Sequence, residues 1–156
     1  MRLSNQNKIK KYFFIGTLHV IILGIGITGF LVDKYQVNLL GKASWLLLII
    51  PILLIIIFLL RGRPIFEYDS DGEILNFKNR NILPVLGEQV YDEIPKYKLI
   101  RYEIINFFYI KRLYISISSK NSNIIILTYH ISYLTREELE NLILSLNKVV
   151  EHNKKT

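Results

Sequence analysis

The sequence contains no cysteine, and only one tryptophan, four prolines and eight glycines among its 156 residues. Without cysteine the chain cannot form a disulfide framework, a cysteine-ligated zinc or iron–sulfur site, or a catalytic thiol. It also lacks a Gly-x-Ser-x-Gly nucleophile elbow and a Walker-type phosphate loop. Because these common catalytic and cofactor-binding patterns are missing, we expect a non-enzymatic protein without a cofactor.

Formal charge is absent from two stretches of the first 60 residues. Residues 12–32 would form a helix about 31 Å long, which is enough to cross a bilayer. Residues 44–60 are almost entirely Leu and Ile, and their insertion into a membrane is favoured by roughly 4–8 kcal/mol. The pattern predicts a two-helix membrane hairpin at 12–60 with a short external turn at 33–43.

The net charge of +7 is concentrated around this hairpin. Residues 1–60 carry six basic and one acidic residue, whereas residues 61–156 carry 14 and 12. Two basic residues, Lys34 and Lys42, lie in the turn, and eight flank the other side of the hairpin: Arg2, Lys8, Lys10, Lys11, Arg61, Arg63, Lys78 and Arg80. The positive-inside rule predicts a cytoplasmic basic N-terminus at residues 1–11 and a cytoplasmic C-terminus. The near-balance after residue 60 argues against a nucleic-acid partner.

Residues 61–156 show short alternating apolar segments, which are typical of β-strands. Segments 66–69 and 75–78 flank the turn residues 70–72 and predict a hairpin, and a short edge strand is expected at 89–93. Further strands are expected around 100–104, 113–118 and 124–131. Thr135 and Glu138 then form a capping box before an amphipathic helix. We therefore predict an α+β, mainly β domain with a C-terminal helix.

Two features of the first span have competing interpretations. Gly24, Gly26 and Gly29 match a dinucleotide fingerprint as a string, but that motif functions between a strand and a helix, not inside a membrane span. The spacing of Gly24 and Thr28 instead predicts packing against another membrane helix. His19 could be a haem or metal ligand or a proton relay, or a neutral imidazole bonded to a helix carbonyl. The second interpretation is favoured because no ionisable partner is present in the second span.

Other polar residues favour structural interpretations. The segment from Asp69 to Glu73 begins like a calcium loop but lacks the later ligands, so a turn is expected. Asp92, Glu93 and Glu103 are expected to be solvated carboxylates, and His130 is expected to be structural.

Two surfaces are candidates for binding. Membrane headgroups are candidate ligands for four basic residues of the region 61–156: Arg61, Arg63, Lys111 and Arg112. A protein partner is a candidate ligand for an apolar loop formed by Leu83, Pro84, Val85 and Leu86.

Four segments after residue 60 carry a resemblance to a known family: IFEYDSDGEILNFKN, KLIRYEII, RLYISISS and LTREELENLILSLNKVV. They resemble the bacterial PH-like domains, and the whole chain resembles small bacterial membrane proteins with two spans followed by such a domain. The resemblance implies a bent antiparallel sheet or barrel closed by a C-terminal capping helix, a location in the bacterial inner membrane, and a role in binding or assembly. The first hairpin loop is acidic here, whereas it is basic in phosphoinositide-binding PH domains, so inositol-phosphate recognition is not implied.

Three hypotheses follow from the sequence. The first is a membrane-anchored adaptor or accessory subunit that binds a protein partner and packs on other membrane proteins or on itself. The alternative is a domain that senses anionic lipid at the membrane surface. A distant third is a redox- or metal-linked subunit that uses His19.

Overall fold

The computed structural model describes residues 1–82, 87–119 and 124–155. The chain divides into two compact units. The hairpin unit is Lys10–Leu60, and the sheet unit combines Met1–Ile9 with the residues from Arg61 onward. The hairpin unit is therefore inserted into the sequence of the sheet unit, near its N-terminus.

The hairpin unit is built from two apolar helices. Helix α1 spans Ile9–Val32 and α2 spans Leu46–Leu60, with a turn of π-helix at Asp33–Val37 and of 3₁₀-helix at Gly41–Trp45 between them. Both helical stretches are long and apolar enough to cross a membrane, and only 11% of each apolar window is buried. Large apolar side chains left uncovered on this scale favour lipid as their solvent. The predicted spans coincide with these helices.

Close packing within the hairpin depends on Gly26. A Cβ added there would lie 2.2 Å from the Leu47 carbonyl oxygen and 3.1 Å from Pro51 Cγ. In the turn, Asp33 accepts hydrogen bonds from the backbone N–H groups of Leu39 and Leu40, at 2.9 and 2.8 Å. The two helices therefore approach closely where a side chain is absent, and a buried carboxylate organises their connection.

The first sheet contains four antiparallel strands in sequence order. They are β1 Arg2–Ser4, β2 Ile65–Asp69, β3 Ile74–Arg80 and β4 Val90–Pro95. The predicted hairpin corresponds to β2 and β3, in register from Ile65↔Arg80 to Asp69↔Asn76. The predicted edge strand corresponds to β4. Strand β1 differs from the sequence analysis, because a three-residue strand is too short for an alternating pattern and residues 1–11 resemble only a basic tail.

The second sheet contains three antiparallel strands, followed by the C-terminal helix. The strands are β5 Leu99–Phe107, β6 Ile110–Ser118 and β7 Ile124–His130, and helix α3 spans Arg136–Lys155. The capping box is confirmed. Thr135 N–H donates to Glu138 Oε2 at 2.7 Å, and Glu138 N–H donates to Thr135 Oγ1 at 3.2 Å.

Both sheets and α3 contribute to one hydrophobic core. Its aromatic centre is formed by Phe66, Phe77 and Tyr129, with the Phe77 and Tyr129 rings stacked at 4.8 Å. Helix α3 adds Leu142, Leu146 and Val149. The predicted α+β layout is therefore confirmed: two antiparallel sheets packed with a C-terminal helix.

Candidate membrane-surface site

The linker Arg61–Arg63, which directly follows α2, is bonded to the segment after β7. Ser132 Oγ donates a hydrogen bond to the Arg61 carbonyl oxygen at 2.8 Å, and Arg61 Nη2 donates to the Ser132 carbonyl oxygen at 3.3 Å. The Arg61 guanidinium also lies over the Tyr133 ring, 4.4 Å from its centroid. These contacts fix the point at which the chain enters the sheet unit.

His130 holds the same linker from the end of β7. The Arg63 backbone N–H donates to His130 Nδ1 at 3.0 Å, so Nδ1 is the unprotonated nitrogen of a neutral ring. Gly62 has φ +79, and a Cβ there would lie 2.0 Å from His130 Nδ1. The linker can follow this path only because residue 62 has no side chain.

Asn79, which is completely buried, connects His130 to the first sheet. The His130 N–H donates to Asn79 Oδ1 at 2.7 Å, and Asn79 Nδ2 donates to the carbonyl oxygens of His130 and Ile65, at 3.1 and 3.0 Å. His130 therefore has the structural role expected from the sequence. Burial lowers its pKa, and the charges of Arg112 and Arg63 lower it further.

The remaining predicted headgroup residues lie beside this linker. The Lys111 N–H donates to Ser132 Oγ at 3.0 Å, and Arg112 is paired with His130 in the β6–β7 register. The four basic residues predicted from the sequence therefore gather at one end of the sheet unit. We call this the tethered end, and its residues are Arg61–Arg63, Phe107–Arg112 and His130–Ser132.

The basic side chains of the tethered end differ from other basic side chains of the sheet unit in their ion pairing. Within the described ranges 1–82, 87–119 and 124–155, the side chains of Arg61, Arg63, Lys111 and Arg112 form no ion pair with a carboxylate. Elsewhere in the sheet unit, Arg80 lies 3.8 Å from Glu67, and Lys8 lies 2.6 Å from Glu138. The tethered end therefore carries four half-buried basic side chains whose charge is not offset by a carboxylate of the described residues.

The opposite end of β5 differs in its electrostatics. We call it the distal end, and it consists of the turn Ser70–Glu73 and the segment Lys96–Lys98. The N-terminal ammonium of Met1 pairs with Asp71, and this contact, followed by Lys96 and Arg2, lowers the pKa of that carboxyl. Asp69 Oδ1 accepts from the Asp71 N–H at 2.9 Å, which closes a turn of the kind expected from the sequence. Among the described residues, no group of three or more His, Asp or Glu side chains could hold a metal ion.

The membrane residues singled out by sequence have local partners. His19 Nδ1 lies 2.6 Å from the Ile15 carbonyl oxygen one turn earlier, and its ring lies 5.4 Å from that of Phe58. Thr28 Oγ1 donates to the Gly24 carbonyl oxygen at 3.0 Å, and a Cβ at Gly24 would meet nothing within 4 Å. The hairpin therefore uses Gly26 for its own packing, and packing of Gly24 and Thr28 on another helix stays a prediction.

Two further predictions concern residues outside the tethered end. Asp92 is not simply solvated, because it accepts a hydrogen bond from the buried Tyr129 hydroxyl at 2.7 Å and so joins β4 to β7. The proposed partner loop, Leu83 to Leu86, lies outside the described residues.

Comparison with known proteins gave no relative. Searches with this chain matched no protein family, no curated protein and no solved structure.

Proposed function

We propose that this chain is a non-enzymatic membrane anchor whose sheet unit binds anionic lipid headgroups through the tethered end. The observation that carries the proposal is the convergence of Arg61, Arg63, Lys111 and Arg112, without carboxylate partners, around the residue that directly follows α2. Arg61 emerges from the membrane if α2 spans it. Basic side chains this close to an anionic leaflet each contribute about 1 kcal/mol.

Pairing of β1 with β2 supports one topology for the anchor. Asn5 is completely buried, donates to the Pro64 carbonyl oxygen at 2.8 Å and accepts from the Phe66 N–H at 2.8 Å. The segments before and after the hairpin therefore belong to one folded unit, which supports a topology with both segments on one side of the bilayer. The excess of basic residues on that side favours the cytoplasmic face of a bacterial inner membrane.

The strand order supports the PH-like interpretation. Four successive antiparallel strands form one sheet, three form the next, and a helix follows them. Antiparallel sheets followed by a C-terminal helix agree with the bent sheet or barrel and capping helix implied by the resemblance to bacterial PH-like domains, and the hairpin unit is inserted between β1 and β2. Since PH-like folds serve mainly as binding modules, a ligand at the membrane surface is in keeping with the fold, although fold alone does not fix function.

Site-specific fluorescence on the full chain tests the proposal. Because the chain has no cysteine, Asn106→Cys beside the tethered end and Ser118→Cys at the other end of β6 can each carry one polarity-sensitive label. In vesicles of phosphatidylcholine, adding phosphatidylglycerol should shift the emission at position 106 to the blue. The label at position 118 should not respond. An equal response at both positions, or none at 106, would overturn the proposal.

A protein-binding adaptor is the second candidate, favoured by β7. This strand lies at the edge of the second sheet, where Ile124, Ile125 and Ile126 are 52%, 38% and 58% exposed. An apolar open edge is suited to the addition of a strand from a partner. Mild-detergent purification of the tagged chain, compared with its Ile125→Lys variant, should recover a partner that only the wild type retains. Identical recovery from both would exclude this edge.

A further inference from the structure

The hairpin turn between β5 and β6 exposes three consecutive aromatic residues. Phe107, Phe108 and Tyr109 are 65%, 84% and 70% exposed, and we call these residues the aromatic tip. The rings of Phe107 and Phe108 contact one another edge to face at 5.0 Å. Consecutive exposed aromatics form an apolar patch that usually marks a binding surface.

The backbone conformation of Phe108 indicates a functional role for the aromatic side chains of the tip. Phe108 has φ +50, a region in which Gly, Asn and Asp are preferred and bulky residues are uncommon. A small or polar residue would form this turn with less strain. Strained residues of this kind are concentrated at functional positions.

The tip lies at the same end of the sheet unit as the linker. Asn106 pairs with Lys111 and Ile105 with Arg112, so the tip extends one to two residues beyond these two basic side chains. The Lys111 N–H is bonded to Ser132 Oγ, which in turn donates to the carbonyl oxygen of Arg61, the residue directly after α2. Aromatic residues next to basic ones, close to the end of a span, are the composition of a membrane interface.

We propose that the aromatic tip inserts into the leaflet, with Lys111 and Arg112 contacting the headgroups above it. This deepens the proposed function and rests on it, since the basic residues bring the tip to the surface. The two contributions differ physically. Attraction of the basic residues is screened by salt, whereas burial of the aromatic rings is not.

Tryptophan fluorescence in the full chain distinguishes the two contributions. The native Trp45 is replaced by Phe, and a single probe is introduced by Phe108→Trp in vesicles with brominated acyl chains. A matched control is Tyr97→Trp, because Tyr97 is 75% exposed and lies between Lys96 and Lys98 at the other end of β5. Tyr109→Trp provides a second tip probe if Phe108→Trp does not fold.

The tip probe should show blue-shifted emission and several-fold stronger quenching by brominated lipid than the control probe, and this should persist at high salt. A tip probe that stays solvent-exposed while the label at position 106 still responds to anionic lipid would overturn the inserted tip and leave the headgroup contact standing. Loss of both responses would overturn both proposals. A tip probe shifted to the blue without quenching would place it against protein, which also overturns insertion.

Discussion

The two ends of the sheet unit differ in charge pairing, although aromatic and basic residues lie together at both. Each has exposed aromatic and basic residues: Tyr97 with Lys96 and Lys98 at the distal end, and the aromatic tip with Lys111 and Arg112 at the tethered end. At the distal end, an acidic turn and the Met1 ammonium supply charges of both signs. At the tethered end, the basic side chains have no carboxylate partner among the described residues.

Under the proposed function, aromatic and basic residues alone do not identify the surface that faces the membrane. Aromatic and basic residues lie together at both ends, although the tethered end has more of each. The tethered end differs in two ways. Its Ser132 hydroxyl is bonded to the carbonyl oxygen of Arg61, the residue directly after α2, and among the described residues its basic side chains have no carboxylate partner. Paired substitutions at the two ends test whether this difference in charge and bonding has the expected effects.

The largest effect is expected from Asn5→Ala, beside the tethered linker. The change leaves the Phe66 N–H and the Pro64 carbonyl without their buried partner, at about 1–3 kcal/mol for each group. Urea unfolding of the sheet unit in detergent, followed by near-ultraviolet circular dichroism, should show a loss of about 2–6 kcal/mol. Gln6→Ala, which removes only an exposed contact with Glu67, is the control and should change little. Equal effects would show that β1 does not tie the two segments together.

A pair of glycine substitutions compares the two ends directly. Gly62 and Gly72 both have positive φ, so alanine costs about 1–2 kcal/mol at either position. At Gly62 the new Cβ would also meet His130, which adds about 1–3 kcal/mol, whereas nothing lies within 4 Å at Gly72. Thermal unfolding should therefore show a clearly larger loss for Gly62→Ala. If the two losses are the same, the linker is not held against His130.

Paired charge removals test the electrostatic difference. Lys111→Gln with Arg112→Gln should weaken attraction to anionic lipid by up to about 2 kcal/mol, at about 1 kcal/mol per basic residue. Lys96→Gln with Lys98→Gln removes the same formal charge from the distal end and should have little effect. The measurement is the amount of phosphatidylglycerol that co-purifies with each variant from mixed-lipid vesicles. Equal losses of phosphatidylglycerol from the two double variants would show that lipid binding depends on net charge and not on which end carries it.

The smallest effect is expected from pH. Because the pKa of His130 is lowered from its ordinary 6.5, the unfolded chain binds the proton more readily than the folded one. Its contribution to stability is therefore complete above pH 6.5 and decreases as the pH falls toward the folded pKa. His130→Asn, which keeps an acceptor for the Arg63 N–H without titrating, should remove this dependence from urea unfolding curves. At the distal end, the pKa of Asp71 is lowered from its ordinary 3.8. The stabilisation by its ionised carboxyl therefore persists throughout the pH range in which the contribution of His130 decreases.

Elements with a strong local pattern could be predicted from sequence, but long-range placement could not. The two spans, the β2–β3 hairpin and the Thr135–Glu138 cap follow from local hydrophobicity and turn residues. Strand β1 is recognisable only through its pairing with β2, more than 60 residues later along the chain. Likewise, Arg61 and Lys111 could be named as basic residues, but their shared partner Ser132 depends on the tertiary fold.

The most direct test of the account is amide hydrogen exchange of the full chain in nanodiscs, comparing zwitterionic with anionic lipid. Amide hydrogen exchange should be slower in anionic lipid for peptides covering residues 61–64 and 105–112, and unchanged for residues 95–99. Protection at 95–99 alone, or equal protection at both ends, would contradict the claim that the tethered end faces the leaflet.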